Sequence, residues 1–163
     1  MKATGIVRRI DDLGRVVVPK EIRRILRIRE GDPLEIYTGN TGEIVLKKYS
    51  PINDMNQIAT EFAETVASTL GCTVAISDTD AFIAASGKER KQFGNSKIDS
   101  ELDSYIQRKE KFNSSDRIIV PILSHGDAIG SIVLLSGENK SFSDSEAKIA
   151  QIGADFIAKQ LYS

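Results

Sequence analysis

The sequence contains few of the residues that build catalytic and metal centres. Its 163 residues include one cysteine, Cys72, and one histidine, His125. A single thiol excludes an internal disulfide, and structural zinc usually takes four Cys or His ligands. The sequence also contains no convergent Ser/His/Asp set and no phosphate-binding glycine loop. We therefore expect no catalytic residue, no metal site, no cofactor and no enzymatic activity.

Long apolar runs are also missing from the sequence. No stretch approaches the roughly 18 consecutive apolar residues that span a bilayer. The N-terminus is basic and lacks the apolar core of a signal peptide. With a single cysteine that we expect to be reduced and buried, these absences favour a cytoplasmic protein without membrane contact.

Positive charge is concentrated near the start of the chain. Residues 1–29 contain nine Lys or Arg against three acidic residues, although the whole chain carries a net charge of −1. Arginine presents a planar fork that suits phosphate oxygens and guanine edges, so this cluster predicts nucleic-acid binding. Whether the side chains contact phosphates or bases stays open. The candidate DNA contacts are Arg8, Arg9, Arg15, Arg23 and Arg24, with Lys2 as a weaker candidate.

The basic segment has the pattern of a small ββαββ domain over residues 1–50. Alternating side chains predict strands at 4–10 and 15–18 around a turn at Gly14. Helical spacing predicts a helix at 20–27, and two more strands follow at 34–38 and 43–48. One copy of this domain has too few large side chains to form an adequate core. We therefore expect an obligate dimer.

A linker at 51–55 is expected to separate this head from a second domain at 56–163, with helices at both ends of an antiparallel sheet. The second domain is predicted to contain a helix at 54–70, strands at 72–78 and 81–86, a polar loop at 87–96, a helix at 99–109, strands at 117–123 and 128–135, and a helix at 143–161. A Ser-x-x-Glu capping box at Ser143 opens the last helix. The fold class is therefore α+β.

The two long helices of the second domain carry apolar stripes. These stripes serve either the core or contacts between copies, and their length favours some oligomerisation. The candidate oligomerisation residues are Met55, Ile58, Phe62, Val66, Ile149, Ile152 and Phe156.

The head resembles the AbrB family of bacterial transition-state regulators. The resemblance rests on TGIVRRIDDLGRVVVPKEIRRILRI, followed by GDPLEIY and IVLKKY. It implies a swapped-hairpin dimer that binds double-stranded DNA. Arg8, Arg15, Arg23 and Arg24 match the positions of the DNA-contacting arginines of that family, and Arg9 is basic as in relatives.

The second domain is similar to a GAF domain, through RIIVPILSHGDAIGSIVLL and FSDSEAKIAQIGADFIAKQL. This resemblance implies a regulatory domain that promotes oligomerisation and is a candidate for binding a small molecule of unidentified class. The loop at 87–96 would either line that pocket or be an ordinary surface loop.

The combination of an AbrB-type head and a GAF-like tail resembles sporulation regulators of spore-forming bacilli. It implies a homo-oligomeric, nucleoid-associated transcription regulator of sporulation genes, for which we expect a dimer of dimers. Whether it activates or represses stays open. The alternative is an antitoxin-like protein-interaction module, because some antitoxins share the swapped-hairpin head.

Overall fold

The computed structural model describes residues 4–94, 96–138 and 140–161. The chain divides into two compact units, Met1–Tyr49 and Ser50–Ser163. The first of these (unit 1) and the second (unit 2) each contain both helices and antiparallel strands, which confirms the predicted α+β class.

Unit 1 contains one short helix and one two-stranded sheet. Helix α1 spans Lys20–Leu26. Strands β1 (Leu34–Thr38) and β2 (Ile44–Lys48) pair antiparallel, with Leu34 opposite Lys48. These three elements lie within one or two residues of their predicted bounds, because their apolar spacing and flanking glycines are local features.

The first hairpin of unit 1 differs from the prediction. No strand forms within the described residues 4–18, although the turn itself is present. The Gly14 amide donates to the Asp11 carbonyl, and the Asp11 amide donates to the Arg15 carbonyl, at 3.1 and 3.0 Å. Gly14 has φ of +78°, which a residue without Cβ adopts at little cost. An isolated two-stranded ribbon is marginally stable, and here its apolar side chains have no surface to pack on.

Helix α1 ends one residue before the predicted bound. Arg27 adopts the left-handed conformation with φ of +56°, and the Ile28 amide donates to the Arg23 carbonyl at 2.8 Å. This pair of features closes the last helical turn. The Lys48 ammonium then donates to the Arg27 carbonyl at 2.9 Å, which ties β2 to the end of α1.

Unit 2 is a five-stranded antiparallel sheet covered on both faces by helices. The strand order is β4-β3-β7-β6-β5. Its helices are α2 (Asn56–Leu70), α3 (Ser100–Arg108) and α4 (Asp144–Gln160). Its strands are β3 (Thr73–Ser77), β4 (Phe82–Ser86), β5 (Phe112–Asn113), β6 (Arg117–Ser124) and β7 (Asp127–Leu135).

Two apolar clusters fill the two sides of this sheet. Along β6, Ile118, Val120 and Ile122 belong to the larger cluster under α2 and α4, whereas Ile119 belongs to the smaller cluster under α3. Because successive strand side chains point to opposite faces, a strand covered on both faces is apolar throughout. This explains the unbroken apolar run of β6.

The expected linker at 51–55 is instead a packed part of unit 2. Pro51–Met55 forms a 3₁₀-helix, and Ile52 is fully buried in the larger cluster. The Ser50 hydroxyl and the Asn53 amide donate to the Asp78 carboxylate at 3.2 and 3.4 Å. Proline suits the first turn of a helix, and burying Ile52 gives this turn the contacts that a solvated linker lacks.

Strand β5, at the edge of the sheet, is not predicted from the sequence, because its two residues carry no periodic pattern.

The predicted capping box at the start of α4 is confirmed. The Glu146 carboxylate accepts hydrogen bonds from the Ser143 amide at 2.9 Å and from the Ser143 hydroxyl at 2.7 Å.

Candidate nucleic-acid interface

The five candidate arginines are all exposed and all lie in unit 1. Arg8 and Arg9 lie in the extended segment before the turn, Arg15 follows the turn, and Arg23 and Arg24 lie on α1. Lys2, the weaker candidate, lies outside the described residues. The guanidinium groups can therefore reach an external ligand without any rearrangement of a core.

Arg15 is held by Asp11 across the turn. One carboxylate oxygen, Oδ1, accepts the amides of Leu13 and Arg15 at 3.0 and 2.8 Å. The other oxygen, Oδ2, accepts Nε of Arg15 at 2.8 Å. The backbone and side-chain hydrogen bonds from Arg15 lower the pKa of the Asp11 carboxyl below its usual value. The carboxylate thus stays ionised beside an arginine whose side chain is 71% exposed.

Arg23 is oriented by the backbone that enters α1. Its Nε donates to the Val18 carbonyl at 3.1 Å, and its amide donates to the Pro19 carbonyl at 3.0 Å. Pro19 is extended, with ψ of 149°, and buried. Arg24 is the next residue on the helix and is exposed as well.

Unit 1 also exposes most of its large apolar side chains. Within residues 4–49, Pro19 is buried, but no larger aliphatic or aromatic side chain is. Val7 is 88% exposed and Ile25 is 73% exposed. Scattered apolar residues are normal on a surface, but an entire domain without an apolar core cannot supply its own folding energy.

The candidate oligomerisation residues separate into three groups. Val66, predicted as an oligomerisation residue, is instead buried in the core of unit 2, because this position of α2 faces the sheet beside Ala63 and Ala67. Ile152 and Phe156 are exposed by 66% and 50% on α4. The residues that are half-buried are Met55, Ile58, Phe62 and Ile149.

Phe62 contacts α4 of the same chain. A Cβ placed on Gly153 would overlap Cζ of the Phe62 ring, so the ring occupies the space that a larger residue would fill. Among the candidate oligomerisation residues, Ile152 and Phe156 are therefore the side chains best placed to contact another molecule.

The predicted ligand loop at 87–96 closes the smaller apolar cluster. Arg90–Gln92 forms a 3₁₀-helix, and the Phe93 ring packs edge-on against Phe82 with centroids 4.8 Å apart. An open cavity of about 640 Å³ lies at the start of this loop, next to the end of α2. Its lining includes Cys72, Thr73, Lys88, Glu89, Glu138 and Lys140.

Neither a metal centre nor a reactive thiol is found in the part of the chain that the structure describes. No group of three or more His, Cys, Asp or Glu side chains there could hold a metal ion. Cys72 is buried, as predicted, and its burial raises the pKa of the thiol. Among the described helices, none is long and apolar enough to cross a membrane.

Both units match known protein families. The family model described as Stage V sporulation protein T C-terminal, transcription factor, matches residues 54–117 and 109–162. The model described as Antidote-toxin recognition MazE, bacterial antitoxin, matches residues 7–54. Unit 2 shares its fold with the GAF domain of an Acinetobacter phosphoenolpyruvate-protein phosphotransferase, with a TM-score of 0.57 at 12% identity, over 66% of this chain and 81% of that one.

Two curated proteins of Bacillus subtilis (strain 168) are similar in sequence. Stage V sporulation protein T is 44% identical over 177 aligned residues, covering 99% of both chains. Transition state regulatory protein AbrB is 61% identical over 51 residues, which cover 31% of this chain and 52% of that protein. The second match is confined to a stretch the length of unit 1.

An arginine-rich, AbrB-type head followed by a unit with the GAF fold is the domain organisation of a DNA-binding transcription regulator. The sequence similarity to stage V sporulation protein T of Bacillus subtilis extends over 99% of both chains. The chain belongs to the stage V sporulation protein T family, which confirms the resemblance predicted from the sequence and makes it a transcription regulator of sporulation.

Asp11 contacts a candidate arginine, although the sequence predicts it only as part of a turn. In the structure its carboxylate holds the Arg15 side chain. An Asp placed four residues before an Arg, with a turn glycine between them, is the pattern that could have indicated this contact.

Proposed function

We propose that this protein binds double-stranded DNA through the arginines of a head shared by two copies. The contacts are Arg8, Arg9, Arg15, Arg23 and Arg24, with Lys2 as an additional phosphate contact. The observation that carries the proposal is the exposure of all five arginines in one small unit. Phosphate neutralisation by these side chains would release counterions, so affinity should fall steeply as salt rises.

The dimeric head is supported by the exposed apolar side chains of unit 1. A second copy would cover Val7, Ile25 and their neighbours, and exchanged hairpins would give the segments at 4–10 and 15–18 the strand partners they lack within one chain. A shared core would supply the burial that about 50 residues cannot achieve alone. The dimer would also present two copies of each arginine to one duplex.

The exposed surface of α4 supports a dimer of dimers. Ile152 and Phe156 form an apolar pair on the outside of unit 2. Joining two head dimers through this surface would tether two DNA-binding sites and raise the overall affinity without any new DNA contact.

Ligand sensing would use the open cavity at the start of the loop 87–96. Its volume of about 640 Å³ lies in the range of small-molecule sites. The regulator would act in the cytoplasm, at the nucleoid, where its DNA lies.

The antitoxin alternative rests on the match of residues 7–54 to an antitoxin model. Antitoxins of this kind usually add a short, disordered acidic tail, whereas residues 50–163 here form a folded unit. DNA binding by the purified chain, without a toxin partner, distinguishes the two functions. Binding that appears only in a complex with a second protein would favour the alternative.

A mobility-shift assay on promoter fragments tests the proposal. Arg23→Ala/Arg24→Ala should shift the fragment only at a much higher protein concentration than the wild type, because each head dimer is deprived of four cationic side chains. The matched control is Lys91→Ala/Lys97→Ala, which removes the same charge from exposed positions of unit 2 and should leave the shift unchanged. Circular dichroism shows that each variant is folded. Equal binding by the arginine variant would overturn the proposed interface.

A further inference from the structure

We infer that Asp11 is a positioning residue for DNA binding: its carboxylate fixes Arg15 in the orientation that meets the DNA. The inference rests on the proposed function, because it assumes that Arg15 contacts DNA. It assigns a favourable role to an acidic residue in the middle of a basic surface, where charge alone would make it unfavourable.

The two oxygens of the Asp11 carboxylate have separate tasks. Oδ1 accepts the amides of Leu13 and Arg15, which shapes the turn. Among the described residues, Oδ2 accepts Nε of the Arg15 side chain and no other donor. One side chain therefore couples the path of the backbone to the direction of the guanidinium.

The contact through Nε leaves the outer edge of the guanidinium available. Arginine has five N–H donors, and the four on its terminal nitrogens make no hydrogen bond within the described residues. Those four donors form the fork that binds phosphate or guanine in a bidentate manner. The 71% exposure of the Arg15 side chain places this fork in solvent.

Holding the side chain before binding reduces the entropy lost on binding. A free arginine samples many rotamers and must give them up in a complex, whereas an arginine held at Nε has already given up part of this freedom. The cost of ordering one such side chain corresponds to about a three- to tenfold change in affinity.

Asp11→Asn separates the two tasks of the carboxylate. The asparagine carbonyl oxygen can still accept the amides of Leu13 and Arg15, so the turn is kept. The second oxygen becomes an NH₂ group, which cannot accept from Nε. The substitution also removes one negative charge from the basic surface, and electrostatics alone would then predict tighter DNA binding.

The expected result is that Asp11→Asn weakens binding of the full-length protein to a shifted promoter fragment by about three- to tenfold. The matched control, Asp12→Asn, removes the same charge from the next residue, which accepts none of these three hydrogen bonds. Asp12→Asn should bind as tightly as the wild type or more tightly. Binding by Asp11→Asn that is equal to or tighter than wild type overturns the inference.

The effect of Asp11→Asn should reverse when Arg15 is absent. In an Arg15→Ala background there is no guanidinium to position, so the added Asp11→Asn change should leave affinity unchanged or raise it. A further decrease of affinity in that background would mean that Asp11 acts through the turn, and would overturn the inference. If Arg15→Ala alone does not weaken binding, the role of Arg15 in the proposed function fails, and the inference fails with it.

Discussion

At the residue scale, hydrogen-bonding partners distinguish two arginines of this head, Arg15 and Arg23, from ordinary solvated charges. Arg15 is held by a carboxylate and Arg23 by a backbone carbonyl, and in both cases Nε is the atom that is held. The terminal nitrogens of Arg15 face solvent. The arginine cluster is predictable from the sequence, because charge density is visible in it. The partner of Arg15 is not, because a turn can place Asp11 beside the arginine or away from it.

Cys72 offers a direct test of the core at the residue scale. The residue is 5% exposed, and burial raises the pKa of its thiol. The thiolate is the reactive form, so the folded protein should react with a thiol reagent far more slowly than the protein in guanidinium chloride. The kinetics of reaction with an aromatic disulfide, with free cysteine as a control, measure this. Equal rates for folded and unfolded protein would show that the thiol is accessible.

The same pKa shift has a defined effect on stability. A raised pKa in the folded state means that the folded protein holds the thiol proton more tightly than the unfolded chain. This contribution to the free energy of unfolding is fully present below the usual pKa of the thiol. It is lost as pH rises through the raised value in the folded state.

At the scale of elements, the sheet of unit 2 depends on a close approach between two strands. Gly130 lies in β7, opposite Ile122, next to the point where β3 ends. A Cβ at this position would overlap the Ser77 carbonyl oxygen. Since that atom belongs to the backbone, the strand itself would have to shift. This need for glycine is not predictable from the sequence, because the two strands are far apart along the chain.

Gly130→Ala should destabilise unit 2 by about 1–3 kcal/mol, the usual range for overpacking a buried site. Urea unfolding followed by circular dichroism measures the change. Gly94→Ala is the matched control, because Gly94 is exposed and nothing lies within 4 Å of the position that a Cβ would take there. A Gly130→Ala protein as stable as Gly94→Ala would contradict the described packing of β3 against β7.

Sequence patterns predict some elements well and others poorly, for physical reasons. Strand β1 and the capping box of α4 depend on neighbouring residues, and both predictions are correct. The 3₁₀-helix at Pro51–Met55 depends on Ile52 reaching a core built from distant strands, so its local pattern indicates only a linker. The hairpin at 4–18 depends on burial that one copy of the chain does not offer.

At the scale of the whole molecule, apolar surface remains on both units. Unit 1 exposes large apolar side chains along its whole length, and α4 of unit 2 exposes Ile152 and Phe156. The apolar stripe of α4 is evident in the sequence, but which of its members face outward is not. The structure makes that distinction, because Ala150, Ala154 and Ile157 fill the inward face.

Phe156→Glu should reduce the assembly to a smaller species without unfolding unit 2. The charge would lie in the proposed contact between dimers, where it would lose solvation. Sedimentation velocity measures the mass. Gln107→Glu is the control, since it adds the same charge at an exposed position of α3, on the opposite side of the sheet. An unchanged sedimentation coefficient for Phe156→Glu would remove α4 from the assembly surface.

Polar substitution of Phe62 should act differently from Phe156→Glu. The Phe62 ring packs over Gly153 of its own chain. Removing the ring should therefore lower the melting temperature of the protein and leave the mass of the assembly unchanged. Thermal unfolding followed by circular dichroism, beside sedimentation of the same sample, separates the two effects. A smaller mass at an unchanged melting temperature would instead place Phe62 between copies.

The salt dependence of DNA affinity is the measurement that bears most strongly on the arginine surface. The affinity of the wild type and of Arg23→Ala/Arg24→Ala is measured over a salt series on one promoter fragment. If these arginines contact phosphates, the slope of log K against log salt should become shallower by about 0.9 for each phosphate contact that the substitutions remove, and affinity should fall at every salt concentration. An unchanged slope with unchanged affinity would contradict the account, because it would mean that Arg23 and Arg24 have no part in binding DNA.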